Sequence, residues 1–274
     1  MLAIDDLRRM RAARRIGHTI HYFESADSTN SVAQRMAAAG AAEGTAVIAE
    51  MQTKGRGRLG RAWASPPFCN VYLSIILRPP IAATDAPRLT LVAGLAVADA
   101  VRRWAPAAIK WPNDVVIDGR KVAGILSEME ADGDRVRCVI LGIGVNLNAA
   151  PNEFPPDLRG KVTGLCAVTG APIDRVAFTA ELMAQVEERY DLFLRAGFAA
   201  LRPAWEACSF LTGRYVEIDD NGRRCAGVVC GIADDGALLL RDRAGRETRV
   251  VAGDVTVLGG YDAAAGDERD ASRD

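Results

Sequence analysis

The sequence has few histidines, no clustered cysteines and no long hydrophobic run. Only 2 histidines occur in 274 residues, and the 6 cysteines include no C-x-x-C pair. The sequence therefore lacks the ligand spacing that is typical of zinc sites. No apolar run approaches the roughly 18 residues of a membrane span, and acidic residues stand where a signal peptide would be apolar. A net charge of -1 gives no general attraction to nucleic acid or acidic membranes. The sequence therefore predicts a cytoplasmic protein with reduced thiols and with neither DNA nor a membrane as partner.

The hydrophobic content predicts one large domain followed by a small one. Hydrophobic residues make up 49% of the chain, which is enough for a sizeable core. Residues 1–211 mix helix and strand patterns, whereas residues 212–261 show short strands separated by turn signals, typical of a small β-barrel. Residues 262–274 are charged and small, which predicts a disordered tail. The fold class predicted is α+β, with a mixed, mostly antiparallel sheet and helices plus a C-terminal β-barrel.

The stretch from Gln52 to Trp63 is rich in both glycine and positive charge. Glycine leaves the backbone free to adopt positive φ, and clustered cations suit an anion. Strand-like segments flank it at residues 45–51 and 70–77, so we expect a loop between strands. The spacing of Gly55, Gly57 and Gly60 fits a dinucleotide fingerprint, but the residues that follow disfavour the helix that this fingerprint needs. An anion-binding loop and a merely solvated basic loop both remain open at this point.

The segment Ser28-Thr29-Asn30 precedes a helix predicted for residues 29–39. These residue types commonly cap helices. A helix N-terminus also carries spare N–H donors that can bind a ligand. Capping and ligand binding are therefore both compatible with the segment.

Residues 108–145 predict an antiparallel meander with a tight turn at Asp118-Gly119. A two-residue turn pairs Val116 with Lys121 and makes Asp114 a diagonal neighbour of Lys121, within reach of a lysine side chain. The shared face is expected to hold Asp114, Val116, Lys121, Ala123 and Ile125. Lysine is rare on an apolar face unless its charge is paired or used. The two alternatives are therefore a functional cation and a surface ion pair. A bulge at Pro112 would break this register.

Asp174 predicts the start of a long amphipathic helix that ends near Gly197. Its polar face is expected to be solvated. That face consists of Glu181, Glu187, Glu188 and Arg189.

Five motifs, in this order, resemble the biotin protein ligases. They are Ser28-Thr29-Asn30, Gln52-x-x-x-Arg56-Gly57-Arg58 in a glycine loop ending at Trp63, Lys110-Trp111-Pro112-Asn113-Asp114, Gly119-Arg120-Lys121-Val122-Ala123-Gly124-Ile125-Leu126 and Gly142-Ile143-Gly144-Val145-Asn146. The resemblance implies a catalytic domain of the class II synthetase and biotin/lipoate ligase type. It also implies a two-step reaction in which biotin and ATP form biotinyl-5′-AMP, which then acylates a lysine of the biotin carboxyl carrier protein of acetyl-CoA carboxylase or a related carboxylase. Mg²⁺ would accompany ATP, and the short form without a DNA-binding domain is expected as a monomer or weak homodimer.

The resemblance also implies a role for each matched residue. The biotin-binding set is Ser28, Thr29, Asn30, Gln52, Arg56, Gly57, Arg58, Lys121 and Gly124. The ATP-binding set is Arg58, Arg61, Trp63, Lys110, Asn113, Asp114, Gly142 and Asn146. The catalytic set is Lys121, Arg58 and Asp114, with Asp114 also a candidate for Mg²⁺ or for the incoming lysine.

Two other functions are compatible with parts of this pattern. A lipoate or octanoate ligase or transferase has a similar fold, but the polar set around Ser28 and Gln52 favours a ureido head group. A nucleic-acid-binding module could use the Arg-Gly loop, but no aromatic residues alternate with its arginines.

Overall fold

The computed structural model describes residues 1–11, 14–220 and 222–259. Its helices are α1 (Ile4–Arg11), α2 (Thr29–Ala38), α3 (Arg88–Arg102), α4 (Leu165–Thr169), α5 (Arg175–Ala196) and α6 (Arg202–Ala207). Its strands are β1 (Ile20–Ala26), β2 (Ala46–Gln52), β3 (Val71–Leu77), β4 (Ala108–Lys110), β5 (Asp114–Ile117), β6 (Arg120–Asp132), β7 (Arg135–Val145), β8 (Tyr215–Asp220), β9 (Arg223–Ile232), β10 (Leu238–Arg241), β11 (Glu247–Val250) and β12 (Asp254–Gly259).

Seven strands form the larger sheet in the order β1-β2-β3-β7-β6-β5-β4. Strands β1 and β2 are parallel, whereas the other neighbours are antiparallel. This confirms the mixed, mostly antiparallel sheet and the meander. The prediction of a helix at residues 29–39 is confirmed by α2.

The two faces of the larger sheet are covered differently. Alternate residues such as Ile75 and Leu141 join the main core with α3 and α5, while Ile76 and Ile140 join a smaller cluster with α2. This alternation follows from the two-residue period of a strand. Because α2 is only 10 residues long, it covers one part of its face, and the candidate site lies beside it.

Five antiparallel strands form the second sheet, in the order β11-β10-β9-β8-β12. The all-β character predicted after residue 211 is confirmed. Strand β12 was not predicted from the sequence. The division into domains at residue 211 stays a prediction, and the proposed tail at residues 262–274 lies outside the described residues.

The start of α5 agrees with the prediction, but its polar face does not. Asp174 accepts hydrogen bonds from the N–H groups of Val176 and Ala177 at 2.8 and 3.1 Å. The expectation of a solvated face is wrong for three side chains, because Glu187 pairs with the buried Arg11, Arg189 pairs with Asp99 and Glu181 pairs with Arg103 at the end of α3. These ion pairs dock α5 against α1 and α3.

None of the helices in the described part of the chain combines the length and the apolarity needed to cross a membrane.

Candidate functional site

A cavity of about 660 Å³ opens on the sheet face beside α2. Its volume lies within the roughly 300–1,000 Å³ of ordinary small-molecule sites. The structure brings every predicted site residue to its wall: Ser28, Thr29, Asn30, Gln52, Arg56, Gly57, Arg58, Arg61, Trp63, Lys110, Asn113, Asp114, Lys121, Gly124, Gly142 and Asn146. The individual roles of these residues stay predictions.

Glycines form the floor of the cavity and Trp63 lies on two of them. A Cβ atom added at Gly144 would lie 2.5 Å from Trp63 Cε2, and one at Gly124 would lie 2.8 Å from Trp63 Cζ3. Gly124 and Gly144 are paired across β6 and β7. Only a bare backbone on both strands lets the indole approach the sheet this closely.

Trp63 thereby divides the cavity into two compartments. Gly142 and Gly144 lie on one face of β7 and Asn146 follows directly after the strand, with steps of roughly 6.6 Å between successive members of this row. Asn30 lies against Gly142, where an added Cβ would come within 2.2 Å of Asn30 Oδ1. We call the part of the cavity on the Gly142 side of Trp63 the head compartment, and its polar wall consists of Ser28, Thr29, Asn30 and Gln52. We call the part on the Asn146 side the base compartment.

A bulge in β6 changes which residues face the cavity. Val116 pairs with Lys121 as predicted, but Val115 pairs with Ala123, so Val122 is an extra residue. The expectation that Ala123 and Ile125 share the face of Lys121 is wrong, because both join the main core. Such a bulge reverses the alternation of side chains. Gly124 and Leu126 line the cavity, and Ile125 also contributes to its wall although it belongs to the core.

Lys121 and Asp114 are neighbours, as predicted. Lys121 Nζ lies 2.6 Å from Asp114 Oδ1 and 5.2 Å from the centre of the Trp63 ring. The position over an aromatic ring favours a cation. Lys121 therefore places a positive charge beside Trp63, where the two compartments meet.

A hydrogen-bond network fixes the polar side chains of the head compartment. Thr29 donates to Gln52 Oε1 through its N–H at 2.9 Å and its hydroxyl at 3.1 Å, and Gln52 Nε2 donates to Ser65 Oγ at 3.2 Å. Ser74 Oγ lies 2.8 Å from Thr29 Oγ1 and 2.6 Å from Asn30 Oδ1. These amide and hydroxyl groups are held by one another, which restricts their orientations.

Ser28 occupies the N-cap position of α2 but does not cap it through its side chain. Its backbone is extended, with φ -157°, and its hydroxyl makes no capping hydrogen bond. Ser28 is nevertheless buried and lines the cavity. Of the two interpretations left open by the sequence, side-chain capping is thus not the one observed.

The base compartment contains residues to which sequence reasoning assigned no role. Phe154, Leu158 and Val162 line it, and they come from the segment between β7 and α4. Backbone hydrogen bonds tie this segment to β6, since Lys121 N–H donates to the carbonyl of Lys161 at 2.8 Å. Apolar residues spaced among prolines were the only local sign in the sequence that this segment contributes to a binding site.

Asn146 supplies a polar group at the edge of the base compartment. Its Oδ1 atom is buried and has no hydrogen-bond partner within the described ranges. An unpaired buried acceptor is costly, so a ligand that donates a hydrogen bond there would be favoured.

Three arginines of the glycine loop contact three different parts of the fold. Arg56 pairs with Glu128 on β6 at 2.8 Å, and Arg58 donates to Asn113 Oδ1 at 3.3 Å. Arg61 forms an ion pair with Asp254 of the second sheet. The loop therefore lies closed over the cavity and carries more positive charge than these contacts neutralise.

The site contains too few protein ligands to hold a metal ion without help from a bound substrate or water. Within residues 1–11, 14–220 and 222–259, no three His, Cys, Asp or Glu side chains are grouped as a metal site requires. Asp114 is a carboxylate at the boundary where the two compartments meet, and it is already paired with Lys121. A single carboxylate fits the usual pattern for Mg²⁺, which takes most of its ligands from phosphates and water.

The basic loop, the polar head compartment, the apolar base compartment and the lysine between them define the site of a nucleotide-dependent enzyme that activates a small carboxylic acid. Residues 22–146 match the Biotin/lipoate A/B protein ligase family. The chain is 40% identical over 228 residues to the biotin--[acetyl-CoA-carboxylase] ligase of Paracoccus denitrificans, covering 81% of this chain and 93% of that protein. It is 39% identical to the bifunctional ligase/repressor BirA of Bacillus subtilis, covering 84% of this chain and 71% of that protein.

A solved structure shares the arrangement. The biotin protein ligase from Aquifex aeolicus, in complex with biotin and ATP, superposes with a TM-score of 0.76 at 28% identity, covering 88% of this chain and 99% of that one. The chain belongs to the biotin protein ligase family.

Proposed function

We propose that this chain is an ATP-dependent biotin–protein ligase that forms biotinyl-5′-AMP and transfers the biotinyl group to a lysine of a biotin carboxyl carrier protein. The observation that supports this most strongly is the placement of Lys121 beside Trp63, between a polar compartment and a compartment that fits a base. The named relatives and the biotin and ATP complex support the same substrates. Because the reaction consumes ATP, the cytoplasm is the proposed location.

The ureido head of biotin is assigned to the head compartment. A ureido group presents one carbonyl acceptor and two N–H donors, which requires mixed partners. Gln52 Nε2 has a second hydrogen beyond the one given to Ser65, and the Ser28 hydroxyl makes no capping bond. Ser28, Thr29 and Gln52 therefore form the proposed partners of the ureido group.

The adenine of ATP is assigned to the base compartment. Phe154, Leu158 and Val162 supply apolar surface, and an aromatic ring such as Trp63 suits stacking with a base. Asn146 can accept a hydrogen bond from the exocyclic amine of adenine, which guanine lacks at that position. This assignment predicts a preference for ATP over GTP.

Lys121 and Arg58 are the proposed stabilisers of charge in the first step. A carboxylate oxygen of biotin bonds to the α-phosphorus of ATP while the bond from that phosphorus to pyrophosphate breaks. Negative charge then concentrates around the α-phosphate, where preorganised cations lower the barrier. Lys110 and Arg61 extend the positive charge toward the leaving pyrophosphate, and Mg²⁺ would enter bound to the triphosphate, with Asp114 as its single protein ligand.

Asp114 is also proposed to orient the lysine amine in the second step. The amine nitrogen bonds to the biotinyl carbonyl carbon, the bond to AMP breaks and the amine loses a proton. A carboxylate held at the junction by Lys121 can receive the hydrogen bond of the incoming amine. The two roles belong to successive steps, because Mg²⁺ would accompany ATP in the first step and the lysine amine arrives only in the second.

The direct test is carrier biotinylation with the purified chain. Incubation with biotin, ATP, Mg²⁺ and an apo carrier domain is expected to produce a streptavidin-reactive carrier, and a carrier with its target lysine replaced by arginine serves as control. Lipoate and octanoate are tested in parallel as alternative acids. Labelling of the carrier by either acid, without labelling by biotin, would assign the chain to the lipoate branch.

A further inference from the structure

Glu128 lies at the point where the glycine loop meets the head compartment. Its Oε2 atom accepts a hydrogen bond from Asn30 Nδ2 at 2.7 Å and from Arg56 at 2.8 Å. One carboxylate oxygen thus joins a residue of the α2 N-terminus to a residue of the loop. Glu128 itself lines the smaller cavity beneath the loop and is not part of the wall of the main cavity.

The contacts of Asn30 fix the orientation of its amide. Asn30 Nδ2 faces two acceptors, Glu128 Oε2 and the carbonyl of Leu126 at 3.2 Å. Its Oδ1 must therefore face Ser74, which donates to it at 2.6 Å. The carboxylate is the stronger of the two acceptors because a charged hydrogen bond is shorter and stronger than a neutral one.

This orientation continues through the network to the Ser74 hydroxyl. Ser74 gives its one hydroxyl proton to Asn30 Oδ1 at 2.6 Å, so the Thr29 hydroxyl, 2.8 Å away, can donate to Ser74 Oγ. Gln52 Oε1 is held by the Thr29 N–H at 2.9 Å. With Gln52 Oε1 occupied, its Nε2 group is directed toward Ser65 and the cavity. The orientation of the Asn30 amide and of the Ser74 hydroxyl therefore depends on the acceptor at residue 128, whereas the Gln52 amide is held by the backbone of Thr29.

We propose that Glu128 is a positioning residue that holds the glycine loop closed through Arg56 and orients the Asn30 amide at the wall of the head compartment. This inference rests on the proposed function. Glu128 acts through Arg56 and Asn30 and contacts no substrate. Its removal should therefore weaken the binding of biotin while leaving the rate at saturating biotin nearly unchanged.

The test measures biotin KM and kcat for adenylate formation in Glu128→Gln and Glu128→Ala. Loss of a charge-assisted hydrogen bond is expected to raise biotin KM by about tenfold or more in Glu128→Ala and less in Glu128→Gln, which keeps an acceptor. ATP KM and kcat should stay within about twofold, since an interaction used equally in ground and transition states affects KM alone. Glu130→Gln is the matched control, because Glu130 lies two residues along β6 and outside both cavity walls.

A double-variant cycle separates positioning from general stability. If Glu128 acts on the loop through Arg56, Arg56→Gln combined with Glu128→Gln should raise biotin KM by less than the product of the two single effects. Trypsin cleavage after Arg56 or Arg58 should be faster in Glu128→Gln than in the parent enzyme when biotin is present. Wild-type biotin KM in Glu128→Ala, or multiplicative single effects, would overturn the inference.

The proposed function and this inference fail differently. If the parent chain forms no biotinyl-5′-AMP, the proposed function is wrong. If the parent forms the adenylate but Glu128→Ala keeps the biotin KM of the parent, the inference alone is wrong.

Discussion

Lys121 Nζ and Asp114 Oδ1 lie 2.6 Å apart on adjacent strands, at the boundary between the two compartments. The ammonium is held by a carboxylate on one side and by the Trp63 ring on the other. Because Asp114 and Trp63 together restrict the conformation of the Lys121 side chain, little reorganisation is needed when negative charge develops near its ammonium group. The pair is therefore the centre of the mechanism proposed above.

Lys121→Ala is expected to slow adenylate formation far more than it weakens biotin binding. Loss of one preorganised donor typically costs roughly 10²–10³ in rate. Single-turnover formation of biotinyl-5′-AMP at saturating biotin and ATP measures the rate, and calorimetry measures binding. Lys54→Ala is the control, because Lys54 belongs to the loop but not to the wall of the main cavity. An unchanged rate in Lys121→Ala would remove this residue from the mechanism.

Gly144→Ala is expected to displace Trp63 and to weaken both substrates together. The added Cβ would lie 2.5 Å from Trp63 Cε2, so the indole must shift away from the floor. Overpacking of this kind costs about 1–3 kcal/mol, and biotin and ATP should each bind about tenfold more weakly. Gly94→Ala in α3 is the control, because its Cβ would meet its nearest neighbour at 3.6 Å. Loss of affinity for one substrate alone would argue against a shared partition at Trp63.

Arg58→Gly is expected to form biotinyl-5′-AMP but to release it early. A guanidinium can hold a phosphate through two hydrogen bonds, and Arg58 makes only a weak contact with Asn113 at 3.3 Å. Released adenylate would acylate albumin added as a bystander, and rapid filtration would show faster dissociation. The chain's own lysines are Lys54, Lys110, Lys121 and Lys161, so mass spectrometry can also map self-labelling completely. Carrier-only labelling with normal retention would transfer the role to another cation of the loop.

Glu50 and Arg175 predict how stability depends on pH. Burial alone would raise the pKa of the Glu50 carboxyl, but hydrogen bonds from Arg175, the Leu2 N–H and Tyr22 outweigh burial and lower the pKa below its ordinary 4.5. A lowered carboxyl pKa contributes stability that is present above the unfolded pKa and is lost as pH falls through the folded pKa. Thermal unfolding should therefore show falling stability below pH 4.5, with a smaller slope in Glu50→Gln.

The same pair predicts a large effect of a single substitution at neutral pH. Arg175 Nη2 lies 2.5 Å from Glu50 Oε2, and Glu50 is fully buried. Arg175→Ala leaves a buried charge unpaired, which costs about 3–5 kcal/mol. Chemical denaturation at pH 7 measures the loss. A cost below 1 kcal/mol, typical of an exposed pair, would contradict this account of the network.

The basic loop could be predicted from the sequence because its glycine and charge pattern is local, whereas Gly124 and Gly142 were assigned only through the family resemblance and Gly144 received no role. Gly124, Gly142 and Gly144 stand at strand positions where any side chain would collide, and the basic loop follows directly from its composition. The relation of Lys121 to Asp114 could also be predicted, since a two-residue turn fixes the pairing next to it.

The remaining features depend on tertiary contacts that no local pattern encodes. The bulge at Val122 reversed the faces of Ala123 and Ile125, and nothing in the side chains nearby signals an extra residue. Glu128 looked like an ordinary strand carboxylate because its partners are 72 and 98 residues away in the chain.

The measurement that tests the central claim most directly is adenylate formation from α-labelled ATP with biotin, lipoate and octanoate as separate acids. The account predicts a protein-bound, labelled adenylate in about one-to-one ratio with the chain when biotin is present, and release of labelled AMP when an apo carrier domain is added. It predicts little adenylate with lipoate or octanoate, because a ureido head is what the polar compartment around Gln52 fits. Equal adenylate with all three acids, or ATP cleavage that does not require biotin, would contradict the account.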